Sequence, residues 1–95
     1  MTVAAVVVTY RRPELLMQCL RALQAQTHPV DEIIVVDNAS GDGTAERVRK
    51  EFPEVTLRVL SENRGGAGGF HEGMRIATER DVDWIWVMDD DVEPE

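Results

Sequence analysis

Four short apolar runs, each separated from the next by a stretch of helical length, constrain this chain more than any other feature. The first, VAAVVVT at Val3–Thr9, is an almost unbroken apolar series rich in valine, with no polar face. A strand without alternation is buried on both faces, which is the habit of parallel strands covered by helices. EIIVVDN at 32–38 repeats the pattern and ends in polar residues. VTLRVL at 55–60 alternates more and suits a place nearer the sheet edge. WIWVM at 84–88 supplies a fourth strand.

The intervening segments read as helices. Pro13 fits a first turn, where its missing N–H costs nothing. Leu15, Leu16, Cys19, Leu20 and Leu23 recur at helical spacing and predict one buried stripe. After the loop ASGDGT, Asp42 or Thr44 can cap a second helix that runs to about Phe52, with Pro53 marking its end. The glycine-rich turn NRGGAGGF opens a third, with Phe70, Met74 and Ala77 expected on one face. Strands and helices therefore alternate, and the expected architecture is α/β, a three-layer α/β/α sandwich around a mostly parallel sheet. No repeat, linker or low-complexity tract divides residues 1–95, so a single domain is expected.

Composition excludes some classes. A formal net charge of -8 argues against nucleic acid or an anionic membrane as partner, since either requires a basic face. The lone cysteine, Cys19, rules out an internal disulfide framework, reads as a small core residue and is compatible with a reducing cytoplasm. The N-terminus lacks a basic leader region and its apolar run is too short to span a bilayer. No transmembrane segment is expected. The expected location is the cytoplasm, or the inner face of the membrane for a longer protein.

Open α/β sheets bind ligands outside the carboxyl ends of their strands. Polar clusters stand at three such ends: TYRR after the first strand, DNASGDG after the second and DDD after the fourth. In an extended DDD segment, Asp89 and Asp91 point one way and Asp90 the other. Two carboxylates on one side form a hard-oxygen site for Mg²⁺ or Mn²⁺, ions that also bridge diphosphates. The plainer reading is a solvated acidic tail.

The turn ENRGGAGGFHEG fails the dinucleotide fingerprint because His71 stands where the third glycine belongs, and it lacks the Lys-Ser/Thr of a P-loop. Glycines at a helix start nonetheless allow backbone N–H groups to approach an anion, and Arg64 adds a cation. The alternative is close helix–strand packing. Asp37 can accept hydrogen bonds from a base or a ribose, or can cap its loop together with Asn38. DNASGDGT is not an EF-hand, since Ala39, Gly41 and Val48 occupy ligand positions. Tyr10 could line a base pocket and Arg11 could meet phosphate. His28 and His71 lack metal-ligand spacing.

Together, VVVTYRRPELLMQCLRALQAQTHPVDEIIVVDNASGDGT, NRGGAGGF and WVMDDD resemble family 2 glycosyltransferases, over essentially the whole chain and in the family's order. The resemblance implies the Rossmann-like N-terminal half of a GT-A fold. It implies that Thr9 and Asp37 meet the base and ribose, that Asn63, Arg64, Gly65 and Gly66 meet the ribose and diphosphate, and that Asp89 and Asp91 form the metal-binding DXD element, with Asp89 also near the nucleotide sugar. Tyr10 and Arg11 are further pocket residues. The implied cofactor is Mn²⁺ or Mg²⁺, and the implied reaction is inverting transfer assisted by a carboxylate base. The closest resemblance is to bacterial galactofuranosyl- and rhamnosyltransferases, with UDP-galactofuranose or dTDP-rhamnose as donor and a cell-wall or surface glycan, free or lipid-linked, as acceptor. Family members continue well beyond DXD, so the base and acceptor site are expected beyond Glu95. The competing expectation is a nucleotide- or metal-binding module without catalysis. A sugar-phosphate nucleotidyltransferase fits less well, because TYRRPELL replaces its basic glycine-rich loop.

Overall fold

The unbroken run Val3–Thr9 forms β1, the strand on which the other elements converge. A computed structural model of the chain describes residues 2–25 and 30–89, with Asp89 described by its backbone. In chain order, α1 (Pro13–Gln24), β2 (Glu32–Asp37), α2 (Thr44–Glu51), β3 (Thr56–Val59), α3 (Gly65–Glu79) and β4 (Trp84–Asp89) follow β1. The sheet order is β3-β2-β1-β4 and every pairing is parallel. The expected α/β sandwich is the architecture observed, and β3 lies at an edge as its alternation suggests.

Both faces of β1 are covered. Ala5 and Val7 join Leu16, Met17, Leu20, Leu23, Val48 and Phe52 in one cluster beneath α1 and α2. Ala4, Val6 and Val8 meet Ile34, Val36, Ile76 and Ala77 in a second cluster beneath α3. Burying such a Val, Leu or Ile side chain stabilises by about 1.5–3 kcal/mol relative to exposure, so the two clusters fix all three layers. Cys19 is buried as expected, with its Sγ 3.8 Å from Met88 Sδ.

Three local expectations need correction. In α1 the buried set includes Met17, whereas Leu15 is exposed. Both residues sit about 100° from Leu16 on opposite sides of the stripe, so periodicity cannot choose between them. In α3 Met74 is exposed and Phe70 is only partly buried. The covered face is instead Gly69, Gly73, Ile76 and Ala77, joined by Glu72. Small residues form that face because the helix lies so close to β1. A Cβ at position 69 would stand 2.6 Å from Val8 Cγ1, and one at position 73 would stand 2.3 Å from Val6 Cγ1. In α2 the N-cap is Gly43, at φ +91°, and the side chain that serves the helix start is Asp42. Its Oδ1 accepts the Thr44 N–H at 3.2 Å and the Thr44 hydroxyl, and that hydroxyl holds the Asp42 carboxyl below the usual carboxylate range. Among the described residues no helix is long and apolar enough to cross a membrane.

Candidate functional site

Parallel pairing in register brings the strand ends level. Thr9 pairs with Asp37 and Val8 with Asp89, so the ends of β1, β2 and β4 share one edge of the sheet. Beyond the ladder the chains stay tied: the Asn38 N–H donates to the Thr9 carbonyl at 2.9 Å, and the Leu60 N–H to the Asp37 carbonyl at 2.9 Å. The glycine turn is anchored at the same edge. Asn38 Nδ2 donates to the Gly65 carbonyl at 2.9 Å, while the Arg64 N–H donates to Asn38 Oδ1 at 2.8 Å.

These ties enclose a cavity of about 330 Å³, lined by Thr9, Tyr10, Arg11, Arg12, Asn38, Asn63, Gly65 and Gly66 among others. Six of the residues singled out from sequence thus line one space: Thr9, Tyr10, Arg11, Asn63, Gly65 and Gly66. Thr9 is buried at its floor and Tyr10 is half-exposed at its rim. Arg11 adopts a left-handed φ of +52°, held there by the loop after β2. Its N–H donates to Ser40 Oγ at 2.8 Å, its Nε donates to the Ser40 carbonyl at 3.1 Å, and its guanidinium stacks 5.2 Å from the Tyr10 ring centre. One edge of that guanidinium is therefore engaged by the protein itself.

Asp37 is placed differently. It is 2% exposed, and its Oδ1 accepts the Ser40 N–H at 3.0 Å. It lines a neighbouring cavity of about 270 Å³ with Gly41, Gly43, Thr44, Ala45, Glu46 and Val59. Arg64 is exposed and stands at the N-terminal cap of α3 without lining the Thr9 cavity. Asn63 Oδ1 accepts the Gly65 N–H at 2.7 Å, and Gly65 takes φ +72°, a conformation glycine adopts freely. A Cβ at Gly66 would meet nothing within 4 Å. The turn therefore offers its backbone to the open side, at the positive end of a 15-residue helix.

Asp91, with Asp90 and His28, lies outside the described residues, and of Asp89 the backbone alone is described. Among the described residues no group of three or more His, Cys, Asp or Glu side chains could hold a metal ion. Sequence reasoning treated Asn38 only as a loop cap and passed over Ser40. Both are buried polar residues that organise the site. The legible signal was a polar pair, Asn38 and Ser40, directly after a strand with no polar face. A larger cavity, of about 600 Å³, opens at the opposite end of the strands among Asp31, Glu32, Glu54 and Arg80. No carboxyl end of a strand is among its lining residues.

Residues 4–95 match the family model described as glycosyl transferase family 2. The chain is 46% identical over 92 residues to galactofuranosyltransferase GlfT1 of Mycobacterium tuberculosis, an alignment covering 95% of this chain and 30% of that protein. Among solved structures it is similar to S. aureus TarS 1–349 in complex with UDP, with TM-score 0.78, 27% identity and coverage of 96% of this chain and 28% of that one. It is also similar to the mannosyltransferase PcManGT from Pyrobaculum calidifontis in complex with GDP-Man and Mn²⁺. There the TM-score is 0.70 and the identity 30%, covering 94% of this chain and 27% of that one. The chain thus spans about a third of the length of the relatives it matches.

Proposed function

The chain belongs to glycosyltransferase family 2, and on that premise we propose that it is the donor-binding part of a metal-dependent, inverting glycosyltransferase. It takes UDP-galactofuranose, in preference to dTDP-rhamnose, and the complete enzyme passes the sugar to a cell-wall or surface glycan. The observation that carries this reading is the convergence of Thr9, Tyr10, Asn63, Gly65 and Gly66 on one cavity at the carboxyl edge of the sheet. The likeness to a galactofuranosyltransferase at 46% identity favours the first donor.

In this reading Thr9 and Asp37 meet the nucleoside, and the turn from Asn63 to Gly66 meets the ribose and diphosphate. Backbone N–H groups at a helix start suit an anion because the helix dipole adds to their own partial charge. Arg11 and Tyr10 close the cavity as a stacked pair. Asp89 and Asp91 would hold the divalent ion. The donor set is chemically suited to it, being hard carboxylate oxygens from the last residue of β4 and from the residue two further along the sequence, and the backbone of Asp89 pairs beside Val8 at the site edge. Such an ion, when bound, offsets the negative charge that develops on a departing diphosphate. The base that deprotonates the acceptor, and the acceptor site, are assigned to further sequence, since the matched relatives are about three times longer.

Calorimetric titration of the chain with UDP, dTDP and GDP, each with and without Mn²⁺, tests the proposal. The expected result is preferential UDP binding that tightens with Mn²⁺, and loss of the Mn²⁺ increment in Asp91→Asn. A folded chain that binds none of the three nucleotides refutes the donor site. Binding of UDP with no response to Mn²⁺ removes the metal from the proposal and leaves the donor site standing.

A further inference from the structure

We infer that Asn38 is a positioning residue that presents the turn at Arg64 and Gly65 to the diphosphate of the donor. The inference rests on the donor-site reading above and assigns a role to a residue that this reading does not use.

Asn38 is 3% exposed, and both ends of its amide are engaged by adjacent peptide groups of the turn. Nδ2 donates to the Gly65 carbonyl at 2.9 Å, and Oδ1 accepts the Arg64 N–H at 2.8 Å. Its own N–H meets the Thr9 carbonyl at 2.9 Å. One residue thus joins the end of β1, the end of β2 and the first turn of α3, across 26 and 27 residues of chain. A planar amide that uses one donor and one acceptor acts here as a strand backbone would, gripping a neighbouring segment at two points.

The grip matters because it ties the turn itself to the strand ends, whereas the close packing of Gly69 and Gly73 on β1 seats the helix behind it. The N-cap of α3 carries no side-chain cap, and Gly65 sits at φ +72°, where a glycine has many other conformations open to it. Asn63 Oδ1 closes the turn on itself through the Gly65 N–H, but that local bond does not orient it relative to Thr9. Orientation comes from Asn38, which is buried and packed against α3: a Cβ at Gly69 would lie 3.6 Å from its Nδ2. Hydrogen-bond donors that face a diphosphate contribute more to binding when they are held in place beforehand, because less ordering is then lost on association. Without Asn38 the turn keeps its composition and loses its aim.

The consequence is selective. Losing the grip weakens binding of the diphosphate and leaves the nucleoside contacts at Thr9 and Asp37 intact. The test compares UDP with uridine on the 95-residue chain by chemical-shift titration, together with thermal melting. Asn38→Ala is expected to weaken UDP by about tenfold, as befits two lost hydrogen bonds, while uridine affinity stays within about twofold. Asn38→Ser keeps a neutral hydroxyl that can serve one of the two peptide groups and is expected to recover part of that loss. Equal losses for UDP and uridine, or no loss for UDP, overturn the positioning role. Should the alanine variant fail to fold, the uncharged serine variant decides by the same comparison, with a loss confined to UDP in support and equal losses against. Failure of the unmodified chain to bind UDP is a different result: it removes the donor site, and the role of Asn38 falls with it.

Discussion

At the scale of the residue, the seven glycines divide by what surrounds them rather than by where they fall in a motif. Gly69 and Gly73 are packing residues. A Cβ on Gly73 would lie 2.3 Å from Val6 Cγ1 and 3.2 Å from Val36 Cγ2, both stiff β-branched side chains inside a buried sheet. Gly73→Ala is therefore expected to destabilise the chain by about 1–3 kcal/mol in a denaturant melt, the cost of overpacking. Gly66 has open space around it. Gly66→Ala is expected to leave stability unchanged or raise it by about 0.4–1 kcal/mol, while weakening UDP binding through its methyl group. Equal destabilisation by the two variants would show that the turn, like the helix behind it, serves packing alone. Both the anion reading and the packing reading of the glycine stretch thus have a place, one at each end of it.

At the scale of the element, the strands were legible in the sequence almost to the residue, β1 and β2 because burial on both faces leaves a short polar-free run bounded by turn residues. Helix faces were less so. The covered face of α3 opens with Gly69, Glu72 and Gly73 before Ile76 and Ala77, and an apolar pattern cannot reveal a stretch of face without apolar side chains. Of the candidate site, Thr9, Tyr10, Arg11 and the glycine turn were legible as strand ends and turn chemistry. The grips of Asn38 and Ser40 were not, because they depend on which loops the parallel register brings together. Glu72 shows the same limit: a carboxylate on the covered face of a helix looks misplaced until its partners are known. Arg75 bonds it directly and Arg58 of β3 stands 3.7 Å away, and chiefly through Arg75 its carboxyl is held below the ordinary glutamate range. A carboxyl that ionises more readily folded than unfolded contributes stability above its unfolded pKa and loses it as pH falls through its folded pKa. The melting temperatures of the chain and of Glu72→Gln should therefore differ most near neutral pH and converge in acid. A gap that stays constant or widens in acid would mean that this ion pair does not secure α3 to the sheet. The exposed pairs of Arg47 with Glu14 and Glu51 should show no comparable trend, since such pairs contribute little in water.

At the scale of the whole molecule, the two edges of the sheet are unlike. β3 is a four-residue strand, Thr56–Val59, that carries Thr56 and Arg58, a short and polar edge that resists pairing. β4 is longer and leaves Trp84, Trp86 and Val87 at 62%, 39% and 39% exposure. Apolar residues on a strand with one neighbour among the described residues favour edge-to-edge association. The net charge of -8 opposes it, because two copies repel. These two terms respond oppositely to salt. Screening shortens the reach of the repulsion to about 10 Å at 0.1 M ionic strength and leaves apolar contact nearly untouched. The 95-residue chain is therefore expected to self-associate with rising concentration, and more strongly at higher ionic strength, in sedimentation velocity. Trp86→Lys, which places a cation on the edge without touching the donor cavity, should suppress the association and keep the UDP affinity of the parent chain. Association that weakens with salt would point instead to ion pairing between copies, and a chain that stays monomeric throughout would show that β4 is not an adhesive edge. Because β4 ends beside Val8 at the rim of the donor site, the strand that exposes its tryptophans also leads to the aspartates proposed to hold the metal. Packing on β4 and binding at its end thus meet in one element, and the two substitutions that separate them are Trp86→Lys and Asp91→Asn.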